Sequence, residues 1–272
     1  KQWYDEAITN NGIVIRAESD DQIYVALGTS EATSRPYLTV KYYDAKGIES
    51  YWTFVSQSAG AAGSGHINVA TGNLVYSLAT MSTADALFAY TPCLVYNSAR
   101  ANKYNTSTYD ENVPYAVSSI GKGWHLSVNE TIVKKSYSNK GVDEDYYVLT
   151  DGDGTAHNFY LDDAVSGIYK DADGLQLTLT IESNYIIIED TAHNKSYFTV
   201  YNSGTNNTYA ILNKVVDIWG NALDFVLDAS GRVTTIQLTP VNSAGIEYLT
   251  FSYENNLLET IENSATGDYM TF

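Results

Sequence analysis

Cysteine, proline and positive charge are what this 272-residue chain has least of: one Cys, four Pro, and 15 Lys and Arg against 32 Asp and Glu. The single Cys93 rules out an intrachain disulfide and a thiolate zinc site of the CxxC type. A formal net charge of −17, with the basic residues scattered, lacks the clustered Lys and Arg that phosphate binding needs. Nucleic acid is therefore not an expected partner, and neither is an anionic membrane surface. No apolar run approaches the roughly 20 residues of a transmembrane helix, so no membrane span is expected. The chain opens Lys1-Gln2-Trp3, with no initiator Met or signal peptide, and reads as a segment of a longer polypeptide.

Tyrosine is plentiful: 24 Tyr stand against 7 Phe and 4 Trp, which suits half-exposed strand faces better than helices. Period-2 alternation recurs along the chain, as in Ile23-Tyr24-Val25-Ala26-Leu27, Leu94-Val95-Tyr96 and Tyr146-Tyr147-Val148-Leu149, between clusters of Asn, Asp, Gly and Ser. The expected fold class is all-β, with antiparallel hairpins pairing edge to edge into an extended, curved sheet. The best helical candidate, 82–88, is only about two turns long. Composition shifts once, at the Gly- and Ala-rich stretch 56–65, which has the character of a connector. The expected organisation is a few strands in 1–45, a linker over 46–66 and the main β region over 67–272. The polar stretch 97–112 reads as an exposed loop.

Behind the linker lies an internal repeat. Val148-Leu149-Thr150-Asp151 with Gly154 and Phe159 resembles Ile187-Ile188-Glu189-Asp190 with Asn194 and Phe198, and both resemble Val215-Val216-Asp217 with Gly220-Asn221 and Phe225. Each unit is a strand, an Asp-led turn and a returning strand, which is hairpin chemistry. Leu227-Asp228-Ala229-Ser230-Gly231-Arg232-Val233-Thr234-Thr235-Ile236 is echoed, one residue shorter, by Tyr253-Glu254-Asn255-Asn256-Leu257-Leu258-Glu259-Thr260-Ile261.

Phe251-Ser252-Tyr253-Glu254 and Gly231-Arg232-Val233-Thr234-Thr235-Ile236 resemble the strand and turn-exit motifs of the RHS or YD-repeat family. Upstream, Val69-Ala70-Thr71-Gly72-Asn73-Leu74-Val75, Val95-Tyr96-Asn97-Ser98, Gly121-Lys122-Gly123-Trp124-His125-Leu126 and Asp151-Gly152-Asp153-Gly154-Thr155 look like the ordered landmarks that precede such repeats. The likeness covers roughly residues 46–272. Arg35-Pro36-Tyr37-Leu38-Thr39-Val40 and its surroundings look like the last strands of a DNRLRE-type β-sandwich. Together these imply a secreted, cell-wall-associated bacterial protein whose repeats wind into a β-shell enclosing or presenting a C-terminal toxin. The implied partners are the remainder of the same polypeptide, with cell-wall glycan as the alternative.

The candidate chemistry is sparse. His66, His125, His157 and His193 fit no HExxH or other metal spacing, and none is nominated as a ligand or catalyst. Asp151-Gly152-Asp153-Gly154 invites a calcium reading, but a tight Asp-Gly turn accounts for it, and Asp171-Ala172-Asp173-Gly174 is the same case. No GxSxG elbow occurs, and Cys93 sits in the apolar run Pro92-Cys93-Leu94-Val95 as a small hydrophobe. The expectation is a non-enzymatic module with no catalytic residue, no metal ligand and no cofactor. Trp124, alternating with Leu126 and Val128, is expected to be buried.

Overall fold

The computed structural model describes residues 46–83, 90–101, 119–139, 142–202, 208–242 and 246–272. The strands expected in 1–45, all but the first two residues of the helical candidate 82–88, and loop residues 102–112 lie outside the described residues. Among those described the architecture is antiparallel β, with one helical turn at Ser98–Ala101, where an exposed loop was expected, and a 3-10 turn at Gly60–Ala62.

The first sheet runs in sequence order through β1 (Phe54–Ser58), β2 (Ser64–Asn68), β3 (Leu74–Ala79), β4 (Cys93–Asn97) and β5 (Trp124–Leu126). Its first two strands occupy the stretch expected to be a linker: they pair from Phe54 opposite Asn68 to Ser58 opposite Ser64. Small residues serve a flexible connector and a tight turn equally well. Here the turn wins, because the Ala59 N–H donates to the Gly63 carbonyl at 2.8 Å and β2 adds to β3.

In the second sheet, β6 (Thr131–Asn139), β7 (Val142–Thr150), β8 (Ala156–Asp163) and β9 (Ile168–Asp171) follow one another. They continue into β10 (Thr178–Glu182), β11 (Tyr185–Glu189), β12 (Lys195–Asn202) and β13 (Thr208–Val216). β13 returns to β6, with Tyr209, Ala210 and Ile211 opposite Val133, Ile132 and Thr131, and closes an eight-stranded barrel. The same edge of β13 then takes a second neighbour, since Lys214, Val215 and Val216 pair with Asp224, Leu223 and Ala222 of β14 (Ala222–Leu227). From that fork a meander continues through β15 (Val233–Thr239), β16 (Ile246–Glu254), β17 (Leu257–Asn263) and β18 (Tyr269–Thr271).

The expectation of one extended sheet is therefore corrected to two sheets, the larger partly closed on itself. Closure removes the unpaired edges that an open sheet of this length would carry. Register shifts at Tyr197/Phe198, Val226/Leu227, Ile236/Gln237 and Ser252/Tyr253 mark bulges, which add twist.

Alternation decides what is buried. Phe159, Leu179, Phe198 and Ile132 are fully buried in the barrel, and the same apolar cluster continues into the meander through Phe225, Ile236 and Leu249. Leu126 joins it from the first sheet and Val128 from the turn after β5. Trp124 is half-buried rather than buried. It packs at the margin of that core, its ring 6.3 Å from Tyr76 and 5.5 Å from Tyr96. Cys93 is likewise half-buried, at the first position of β4.

Candidate functional site

The Asp-led turns of the repeat share one hydrogen-bond pattern. In the turns led by Asp151, Asp190, Asp217 and Asp228, the Asp N–H donates to the carbonyl four residues on, and the residue three on donates back to the Asp carbonyl. One carboxylate oxygen, Oδ1, accepts the N–H groups two and four residues on: Ala192 and Asn194, Trp219 and Asn221, Ser230 and Arg232, Asp153 and Thr155. The third position after Asp has positive φ each time, at Gly154, His193, Gly220 and Gly231. An Asp side chain thus stands in for a backbone acceptor and fixes the hairpin.

The second carboxylate oxygen separates one turn from its sisters. In three of them the side chain four residues on donates to it: Asn194 at 2.9 Å, Asn221 at 2.8 Å and Arg232 at 2.7 Å. In the Asp151 turn that position is Thr155, whose short hydroxyl donates instead to Asp153 Oδ1 at 2.7 Å. Asp151 Oδ2 then faces His157 Nε2 at 3.2 Å.

His157 is the centre of a carboxylate cluster. It sits on β8, two residues before Phe159, so alternation turns it inward, and its side chain is only 3% exposed. Its Nδ1 lies 2.9 Å from Oδ2 of Asp173, which is equally buried, and Glu49 Oε1 stands 3.4 Å from Nε2. Asp173 comes from the second Asp-x-Asp-Gly stretch, where Asp171 spends its carboxylate on the N–H groups of Asp173, Leu175 and Leu177.

Glu49 arrives from far away in sequence, on the segment before β1. That segment is stitched down: the Ile48 N–H donates to Asp153 Oδ2 at 2.9 Å, and the amides of Asn73 and Asn97 both donate to the Lys46 carbonyl. Gly47 permits the approach, since a Cβ there would strike the Thr155 hydroxyl and the Asp153 carboxylate. The cluster therefore joins the first sheet's leading segment to the β7–β8 turn.

Electrostatics follow from crowding. Burial pulls the His157 imidazole down, but hydrogen bonds and charge from Asp151, then Asp173 and Glu49, outweigh it and raise it to about 9. Asp153 is pushed up by burial and by the Asp151 charge, and Glu49 is raised mainly by burial. Burial opposes ionisation of Asp151, yet the hydrogen bonds from His157 and Asp153 hold it below the usual carboxylate range. Glu130, half-buried as a residue with its carboxyl end enclosed, is raised to about 8 by burial and then by Asp151.

The other histidines are placed differently. His125 is fully buried, its Nε2 bonded to the Gly152 carbonyl at 3.0 Å, and burial with the Arg100 charge lowers it to about 3. His66 lies between the Ser56 and Ser64 hydroxyls, and His193 occupies the positive-φ position of its turn beside Glu189. His157, on the strand returning from the Asp151 turn, and His193, within the Asp190 turn, are thus not equivalent. Sequence spacing could not nominate His157, because its partners come from three separate segments; its position two before a buried Phe on an alternating strand is the one local signal. No protein-family model matches the chain, and no curated protein matches it either.

Proposed function

We propose that the chain is a non-catalytic structural module of a large secreted, cell-wall-associated bacterial RHS/YD-repeat protein, starting a β-shell that encloses or presents a C-terminal toxin. The observation that carries this reading is that the motif residues behind the family resemblance touch one another. The Arg232 guanidinium lies 4.6 Å over the Tyr253 ring, Tyr253 donates its hydroxyl to the Val233 carbonyl at 2.7 Å, and Arg232 Nε bonds Asp228. Turn exit and following strand behave as one construction unit, and such units stack by hairpin pairing.

The Asp residues of the sister turns support the non-catalytic part, since their carboxylates are engaged within their own loops. The glycan-binding alternative gains little from the tyrosines of β6 to β8. Tyr146 and Tyr160 stack on each other with centroids 5.4 Å apart, and Tyr137 meets both edge-on, so these rings serve cross-strand packing.

The test incubates the chain, with and without added zinc, with peptide, ester and glycan substrates and with purified cell walls. The expected result is neither turnover nor retention. Turnover overturns the proposal; retention on glycan without turnover replaces it with the binding-module reading.

A further inference from the structure

The cluster at the β7–β8 turn has three donor atoms of metal-ligating type, Glu49 Oε, Asp151 Oδ2 and His157 Nε2, all within 4.8 Å of one another. Two observations separate it from an ordinary ion pair. The first is the split between the two sides of the imidazole. Nδ1 meets Asp173 at 2.9 Å, a normal charge-assisted hydrogen bond, whereas Nε2 stands 3.2 Å from Asp151 and 3.4 Å from Glu49. One N–H shared between the two oxygens makes only a long three-centre bond to each. Ligands about 2.1 Å from a tetrahedral ion stand about 3.4 Å apart, which is the spacing seen on the Nε2 side.

The second is the comparison with the sister turns. Three of them satisfy the second Asp oxygen internally, and only the turn beside a buried histidine releases it. The Nδ1–Asp173 bond has the form of the carboxylate–histidine pair that fixes a ligating tautomer, so that a metal ion displacing the Nε2 proton would meet the Nε2 lone pair between the two carboxylates. Glu49, Asp151 and Asp173 together bring three carboxylates to one imidazole, so even an imidazolium would leave the enclosure negative, and Arg100 flanks the turn at Gly154.

We propose that Glu49, Asp151 and His157 bind a divalent first-row transition-metal ion, with Asp173 as the positioning residue that orients the imidazole. The mixed nitrogen and oxygen donor set favours such an ion over calcium or magnesium, which take oxygen ligands. The ion is a clip: it ties the segment before β1 to the β7–β8 turn and leaves its remaining coordination to water. This inference does not rest on the scaffold reading.

The probe is zinc. Chain dialysed against EDTA and then freed of it is titrated with zinc by calorimetry, beside calcium and magnesium, with a thermal melt for each. One zinc per chain is expected, at micromolar affinity or tighter, with a raised melting temperature that millimolar calcium or magnesium does not reproduce. His157→Gln and Asp151→Asn should weaken zinc at least 100-fold, and Asp173→Asn about 10- to 100-fold through the imidazole alone.

Nitrogen-15 histidine spectra of the unaltered chain keep the test decisive if a variant fails to fold: zinc should convert one buried imidazole to an Nε2-ligated, Nδ1-protonated form. The proposal falls if folded chain takes up no zinc at about 100 μM. It falls equally if uptake is unchanged in His157→Gln, which would place the ion at an exposed histidine such as His193, or if calcium binds at Asp151 independently of His157.

Discussion

Gly154 is a residue that its neighbours leave no freedom to change. Its φ is +98°, and a Cβ would sit 2.8 Å from the Asn97 amide nitrogen, which itself donates to the Asp153 carbonyl. Gly154→Ala should cost about 1–3 kcal/mol in a urea melt, from left-handed backbone and the displaced Asn97 together. His157 gives a pH signature in metal-free protein. Its folded value, about 9, lies above the ordinary 6.5, so its stabilisation is complete below about pH 6.5 and is lost as pH rises through 9. The loss should be about 3 kcal/mol, and His157→Gln should flatten that part of the stability profile. The Asp-led turns could be read from sequence because each is settled within five residues. The cluster could not, because Glu49 and Asp173 reach His157 only through tertiary folding, and the one residue that frees Asp151, Thr155, is an unremarkable threonine.

At the scale of elements, turns and strands carry separable costs. Asp217→Ala removes the acceptor of the Trp219 and Asn221 N–H groups and of the Asn221 amide, and should cost about 1–2 kcal/mol by denaturation. Phe159→Ala, at a fully buried position on β8, should cost about 3–5 kcal/mol. Trp124→Ala should fall below that, near 2 kcal/mol, since its ring packs at the margin of the core. One turn escaped the sequence reading. Asn68-Val69-Ala70-Thr71-Gly72-Asn73 and Asn263-Ser264-Ala265-Thr266-Gly267-Asp268 make the same bonds, with the Asn Oδ1 accepting the two N–H groups after the next residue and Gly donating to the Asn carbonyl. Its first copy was visible as a motif; the second lies so far downstream that no period connects them. Strand identity was legible where apolar and polar residues alternate, because alternation is local, but not in the Gly- and Ala-rich stretch that holds the end of β1 and the start of β2. The order of closure was not, since the pairing of β6 with β13 depends on which edges remain free.

Over the whole molecule, net charge and topology set the behaviour. With −17 formal charges the fold repels itself, so raising NaCl from about 10 to 150 mM should raise the melting temperature by about 2–4 °C, an effect near 1 kcal/mol for a chain of this size. Sodium and potassium should act alike; a melt insensitive to salt would show the acids to be paired more fully than the ion pairs suggest. Barrel and meander share β13 and one apolar cluster, so they should unfold in a single transition, with coincident midpoints by far- and near-ultraviolet circular dichroism.

The shared strand also sets a timetable for synthesis. β6 leaves the ribosome long before β13, and until β13 emerges one edge of β6 has no partner while β7 to β12 assemble on the other. The nascent chain is therefore most exposed to mispairing in that interval, when chaperones have the most to cover. Arrival of a single strand shuts the ring and, along its remaining residues, presents the template on which β14 begins, so the vulnerable stage ends and outward growth starts in the same step.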